Sequence, residues 1–258
     1  MNETYKVQVQ DLVDDLKAVF THAGLGGEAG EYKLLTQSFL YKFLNDKFLY
    51  QAKVLDESNT YENLLAMGED DYDWLLEDIG TSTAWLKPDQ LIETLHRQQN
   101  EATFYESFEN TLNQIAIDNN DIFSVHTDGD TAIRLFDERL ITDTISDSSK
   151  RNEVAKAIIN LLARVKFDET IFSQGFDFFS TLFEYMIKDY NKDGGGKYAE
   201  YYTPHSVAKI IADILVGDDK PSNVRIYDPS AGSGTLLMNL ASRIGVDKTT
   251  VYSQDISQ

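Results

Sequence analysis

The sequence contains no cysteine, only four prolines, and 23 basic residues against 43 acidic ones. The first absence excludes disulfides, thiolate metal sites and cysteine nucleophiles, and it fits a reducing cytoplasm. The shortage of lysine and arginine leaves a formal charge of -20 and a sequence pI near 4.4. A surface this acidic does not hold DNA tightly by itself, because phosphate binding is carried by Lys and Arg. A nucleic-acid role would need a local basic patch, further sequence, or a basic partner. No apolar run is long enough to span a membrane. The start, Met1-Asn-Glu-Thr, lacks the basic-then-apolar pattern of a signal peptide.

What is present is ordinary for a globular chain: 258 residues, 42% hydrophobic and 26% charged. That supports one large domain or two smaller ones. Leu12, Val13, Leu16, Val19 and Phe20 recur at helical spacing. Gly24 to Gly30 is glycine-dense, but it lacks the Lys-Ser/Thr ending of a phosphate loop and reads as a turn. Leu35, Phe39, Leu40, Phe43 and Leu44 mark one face of a long second helix. Glu69, Asp70, Asp71, Asp73, Glu77 and Asp78 crowd one stretch without the calcium-loop spacing, so they read as a solvated acidic face. Phe104, Phe108, Leu112 and Ile115 predict another helix, Asp128-Gly129-Asp130 a turn, and Ala155 to Val165 a further helix. His22, His96 and His126 have no metal-ligand spacing. Residues 1–165 are therefore expected to form a helical domain, most simply a docking or scaffolding one.

The composition changes after that point. Phe172 to Ile187 is an apolar, aromatic-rich helical pattern, and Asn191 to Gly196 ends it with three consecutive glycines. Thr203-Pro204 then suits a helix start, with Thr as N-cap and Pro at the first helical position. Val207, Ile210, Ile211, Ile214 and Leu215 are expected to be the buried face of that helix. Val224 to Tyr227 reads as a strand, Asp228-Pro-Ser-Ala-Gly-Ser-Gly234 as a turn, and Leu236, Leu237, Leu240 and Ile244 as the inner face of a helix. Strand, glycine-rich turn and helix form the first unit of a doubly wound sheet, whose ligand sits at the turn. A second strand, Thr249 to Ser253, is followed by Asp255, placed to accept hydrogen bonds from a ribose. Leu237 stands where a dinucleotide fingerprint wants its third glycine. Asp228 would repel a pyrophosphate but attract an ammonium, which favours S-adenosylmethionine (SAM) over NAD.

Glu200-Tyr-Tyr-Thr-Pro204 followed by Asp228-Pro-Ser-Ala-Gly-Ser-Gly234 resembles motif X and motif I of gamma-class DNA amino-methyltransferases. The best match is the modification (M) subunit of type I restriction-modification systems. The resemblance implies an α-helical N-terminal domain, residues 1–165, followed by the start of an α/β Rossmann-like, SAM-dependent methyltransferase domain, residues 166–258. It implies adenine-N6 methylation of DNA in the cytoplasm, with SAM as cofactor. The implied partners are a specificity subunit, a restriction subunit and a second M subunit, with DNA reached through the complex. Residue by residue, Tyr202, Thr203 and Pro204 would line the methionine end of SAM, with Glu200, Tyr201 and His205 beside them. Asp228 would hold the amino group. Pro229 and Ser230 shape the turn, and Gly232, Ser233 and Gly234 would let the cofactor lie on the backbone. Asp255 would take the ribose. The family usually has Arg or Lys where this chain has His205. Its catalytic Asn-Pro-Pro-aromatic motif is absent, since Pro88, Pro204, Pro221 and Pro229 are all isolated. The expectation is therefore an N-terminal part of a longer enzyme, with these 258 residues alone neither methylating DNA nor binding SAM tightly. Two other readings stand beside it: a non-enzymatic helical interaction module with a vestigial nucleotide half-site, and a methyltransferase acting on RNA or protein.

Overall fold

The longest helix, α2 (Ala29–Leu55), is buried over more than half of its circumference, and the rest of its unit packs around it. The computed structural model describes residues 3–27, 29–81, 83–123, 125–126, 132–174, 203–219, 221–232 and 234–255. The chain divides into two compact units: Val7–Phe172, and Ser173–Gln258 together with Met1–Lys6.

Helix α1 (Glu3–Ala23) buries Val9, Leu12, Val13, Leu16 and Phe20, one stripe at helical spacing. It stops at Gly24, whose φ of +99° is open to glycine at little cost. Leu25 N–H then reaches back to the Phe20 carbonyl at 3.0 Å, closing the helix end. Around α2 lie α3 (Tyr61–Ala66), α4 (Glu69–Ile79), α5 (Ile92–Gln98), α6 (Phe104–Asp118), α7 (Asn120–Phe123), α8 (Leu140–Thr144), α9 (Arg151–Arg164) and α10 (Glu169–Gln174). A two-residue antiparallel ladder, β1 (Val125–His126) with β2 (Ala132–Ile133), interrupts a region expected to be nearly all helical. The expected Asp128-Gly129-Asp130 turn lies outside the described residues, as does the Phe172 to Ile187 helical pattern beyond Gln174.

Helix α4 explains the acidic cluster. Glu69, Asp70 and Asp71 occupy its first turn, where carboxylates favour the exposed amide end. Tyr72, Leu75, Leu76 and Ile79 are its buried face, and all six acids are exposed. No group of residues able to hold a metal occurs among the described residues, and no described helix is long and apolar enough to cross a membrane.

On the enclosed side of α2, Asn45 and Asp46 are satisfied internally. Asn45 Oδ1 accepts the Ile92 amide at 2.9 Å, capping α5 from another helix. Asp46 accepts Lys42 Nζ at 2.8 Å, Asn45 Nδ2 at 2.8 Å and the Phe167 amide at 2.7 Å. That last bond ties the chain beyond α9 to α2. Phe167 and Ile171 are buried there, and the Phe172 ring lies 5.8 Å from Phe43 and 5.2 Å from Tyr50. Packing thus carries the helical unit through Phe172, past the composition change near residue 165.

Two buried phenols make stability depend on alkaline pH. Tyr41 donates to the Gln90 carbonyl at 2.7 Å and Tyr72 to the Leu86 carbonyl at 2.6 Å. Burial, aided by the nearby Asp89 charge, pushes both above the ordinary 10.0. Lys42 shifts the other way, below 10.5, because burial disfavours its ammonium despite Asp46. The unfolded chain therefore keeps the Lys42 proton longer than the folded one, so stability rises with pH toward 10. Above that, the folded chain keeps two phenol protons that the unfolded chain releases. Each such proton lowers stability by about 1.4 kcal/mol per pH unit. Urea midpoints should rise slightly up to about pH 10 and fall beyond it, and Y41F should roughly halve the fall. A flat alkaline profile would contradict the burial of both hydroxyls.

The second unit contains α11 (His205–Val216), β3 (Val224–Asp228), α12 (Thr235–Ile244) and β4 (Thr249–Ser253). Strands β3 and β4 pair in parallel, from Val224 beside Thr249 to Asp228 beside Ser253. Parallel neighbours need a crossover, and α12 supplies it. Its Leu237 and Ala241 pack on Ile226, flanked by Val224, Ala231, Leu240 and Ile244.

Two expectations for α11 are corrected. The helix begins at His205, so Pro204 is the N-cap and Thr203 lies before it, with no side-chain cap. The Pro204 carbonyl accepts from Val207 and Ala208 amides, while its ring needs no donor of its own. The buried face is Ala208, Ala212 and Val216, not the larger aliphatics. Val207, Ile210, Ile211, Ile214 and Leu215 are 38% to 74% exposed. Small side chains every four residues let α11 lie close to α12, and that turns the Ile/Leu stripe outward.

Candidate cofactor turn

The turn after β3 is built by its own side chains. Asp228 Oδ1 accepts the Ser230 amide at 2.9 Å, an Asx turn that reverses the chain as it leaves the strand. The Asp228 carbonyl accepts the Gln254 amide at 3.0 Å, and the Gln254 carbonyl accepts the Ala231 amide at 2.9 Å. Tyr227 Oη donates to Gln254 Oε1 at 3.0 Å. The parallel ladder thus continues beyond β4 and fastens the turn to the segment carrying Asp255. Asp255 Oδ2 accepts the Gly232 amide at 2.6 Å, across 23 positions of sequence.

Gly232 and Gly234 have φ of +52° and +73°, conformations that side-chain-bearing residues adopt at a cost of roughly 1–2 kcal/mol. A Cβ on Gly234 would meet nothing within 4 Å. The backbone conformation therefore demands glycine there, and the space above it is open. Gly234 caps α12, its amide closing onto the Ala231 carbonyl at 2.8 Å and its carbonyl accepting from Met238 at 3.0 Å. An open glycine, a half-buried carboxylate at one strand tip and a second carboxylate past the next strand suit a ligand with a cationic amine and a ribose.

The structure brings the two motifs together through α11 and α12. His205 Nδ1 lies 3.1 Å from Asn239 Nδ2, and Asn239 Nδ2 also donates to the Thr235 carbonyl at 2.8 Å. At the far ends of the pair, Arg243 bonds Asp213 at 2.8 Å and the Gly217 carbonyl at 2.7 Å. The start of α11, with Thr203, Pro204 and His205, therefore sits beside the start of α12, at the glycine turn. Of the residues expected at the site, Thr203, Pro204, His205, Asp228, Pro229, Ser230, Gly232, Gly234 and Asp255 are described. Glu200, Tyr201, Tyr202 and Ser233 lie outside the described residues. Sequence reasoning missed Gln254 and Asn239. Asn239 had a signal: a polar residue one turn after Thr235, on the inward side of an otherwise apolar helix.

A separate cavity of about 1120 Å³ opens in the helical unit, with Lys42, Tyr50, Lys53, Arg97 and Lys166 in its wall. Six carboxylates line it against four cations. Lys42 is paired with Asp46, and Arg97 with Glu62 and Glu93. This balance does not make a phosphate groove.

Residues 174–258 match the protein family described as N-6 DNA Methylase. The chain is 25% identical to the type I restriction enzyme MpnII methylase subunit of Mycoplasma pneumoniae, over 97% of this chain and 47% of that one. It is 26% identical to the MjaIX methylase subunit of Methanocaldococcus jannaschii, over 49% of this chain and 24% of that one. A crystal structure of a type I restriction-modification methyltransferase subunit from Streptococcus thermophilus shares the fold, with a TM-score of 0.64 and 21% identity. That match covers 96% of this chain and 53% of the other. These similarities bear out the resemblance carried by the two motifs. The chain spans about half the length of the first of these relatives and of the matched structure.

Proposed function

We propose that this chain carries the helical domain and the SAM half-site of a type I restriction-modification M subunit, an enzyme that methylates adenine N6 in DNA. In this reading the second unit begins a Rossmann-like methyltransferase domain. The observation that supports it most is the turn itself, where Asp228, two left-handed glycines and Asp255 lie at the end of a parallel strand pair and the space above Gly234 is open.

When bound, SAM supplies a sulfonium-activated methyl group. The chain's own residues bind and orient. Asp228 keeps one oxygen on the Ser230 amide, and its other oxygen would be the acceptor for the ammonium of the methionine moiety. Gly232 and Gly234 admit the cofactor to the backbone. Asp255 holds the ribose hydroxyls, sharing its carboxylate with the Gly232 amide. Thr203 and Pro204 would close the methionine end of the cofactor. The asparagine and aromatic residue that hold and stack the target adenine are not among these 258 residues. The specificity subunit, the restriction subunit and a second M subunit complete the assembly and bring the DNA that an acidic surface does not attract.

Calorimetric titration with SAM tests this on the chain and on a form extended to the native stop codon. The expected outcome is SAM binding and adenine methylation, in the presence of a specificity subunit, by the extended form alone. Binding by neither form would leave the reading without its cofactor.

A further inference from the structure

The residue after Thr203-Pro204, His205, departs from the family pattern, and the structure gives it a partner. Asn239 is 93% buried on the inner side of α12, as its 7% exposure states. The Thr235 carbonyl can only accept, so the group that faces it at 2.8 Å must be the Asn239 amide nitrogen. The same nitrogen lies 3.1 Å from His205 Nδ1. Nδ1 is therefore the acceptor in this contact. Both protons of one buried amide are used, one along α12 and one across to α11. The amide cannot flip without setting its oxygen against the Thr235 carbonyl oxygen. A cationic side chain at position 205 would bring a donor to a donor.

We infer that His205 is a positioning residue: its Nδ1, locked on Asn239, holds the Thr203-Pro204 turn beside the glycine turn. His205 is the first residue of α11, so a bond there fixes where that helix begins. The Pro204 carbonyl receives the Val207 and Ala208 amides, and the first turn of α11 is thus continuous with the clamp. On the other side, Asn239 stands one turn from Thr235, which follows Gly234 directly. The Arg243 contacts with Asp213 and Gly217 hold the opposite ends of the helices, so the pair is fastened at both ends. Along α11 the contact face is otherwise Ala208, Ala212 and Val216, which resist sliding weakly. The directional bond at His205 fixes the register at the start of α11, as the Arg243 contacts do at its end. What the clamp is for rests on the cofactor reading above; that the clamp exists does not.

The test compares H205F, which keeps a ring and removes the acceptor, with H205N, whose Oδ1 takes the place of Nδ1. N239A and the H205F/N239A double variant complete a cycle. Amide hydrogen exchange at Val207 and Ala208 is the first readout, on the chain as it stands. H205F and N239A should each exchange about three- to tenfold faster there, the scale of one net hydrogen bond. The double variant should be no faster than the faster single, and H205N should return to within about twofold of the parent. Exchange unchanged in H205F, or H205N behaving like H205F, overturns the inference. SAM affinity of the extended form is the second readout, with H205F weakened by a similar factor and H205N restored. Wild-type affinity in H205F, beside faster exchange, would overturn the link to the cofactor. If the parent binds no SAM, the cofactor reading fails and the exchange data still decide the clamp.

Discussion

Asp228→Asn in the extended protein is expected to weaken SAM binding about 10- to 100-fold while leaving the melting temperature within about a degree or two. The scale is that of one hydrogen bond to a charged group, up to about 3 kcal/mol. The two roles of Asp228 make the prediction sharp. Its Oδ1 builds the turn by accepting the Ser230 amide, and an asparagine oxygen can do the same. The negative charge is lost, and the second acceptor oxygen becomes an NH2 donor. Asp228→Ala removes both roles, so it should lose SAM binding at least as severely and also loosen the turn, measured as faster amide exchange at Ser230. Methyl transfer should follow affinity when SAM is limiting. An Asn variant that binds SAM like the parent would show that the carboxylate does not meet the cofactor's amine, and the assignment of the turn would fall.

Asp46→Ala should be the most damaging substitution in the helical unit, lowering stability by about 3–5 kcal/mol. Four donor contacts converge on this carboxylate: two from Lys42 Nζ, one from Asn45 and one from the Phe167 amide. The Lys42 side chain is only 3% exposed. Without Asp46 its ammonium has no compensating charge, and the Phe167 amide loses its acceptor. For a unit of this size the loss corresponds to a fall in melting temperature of roughly 10 °C or more. The double replacement K42M/D46L removes both charges and should recover part of the loss, since a buried ion pair contributes little over an apolar pair of similar size. The Phe167 amide remains orphaned in that variant, so recovery should be incomplete. A single Asp46→Ala variant melting within about two degrees of the parent would contradict the burial of Lys42.

Lys42 and Asp46 also show what the sequence could not reveal. At i and i+4 on a helix, Lys and Asp look like a solvent-exposed pair. They are buried because α2 is covered over more than half of its circumference; of the expected stripe Leu35, Phe39, Leu40, Phe43 and Leu44, only Leu35, Phe39 and Leu44 are buried, and that stripe does not report the Lys42/Asp46 side. The acidic face of α4 was legible, because charge so dense has no alternative to solvent. The turn at Asp228 to Gly234 was legible for a related reason: glycines, an Asx residue and a strand of alternating burial each carry a local geometric requirement. Helix α11 was read with the wrong face inward. Periodicity identifies an apolar helix, but α11 is apolar on two sides, and only the neighbour decides between them. Close approach to α12 selected alanine over isoleucine. The chain's reach past residue 165 was invisible for the same reason, since Phe167 and Phe172 find their partners more than a hundred positions upstream.

The bond from the Gly232 amide to Asp255 has a consequence for the entropy of binding. A glycine-rich loop left to itself samples many conformations, and a ligand must freeze it. Here a carboxylate from the end of the next strand has already done so. A ligand that reached this loop would meet the Gly232 backbone already tied when the strands paired, so more of its contact energy would remain as affinity.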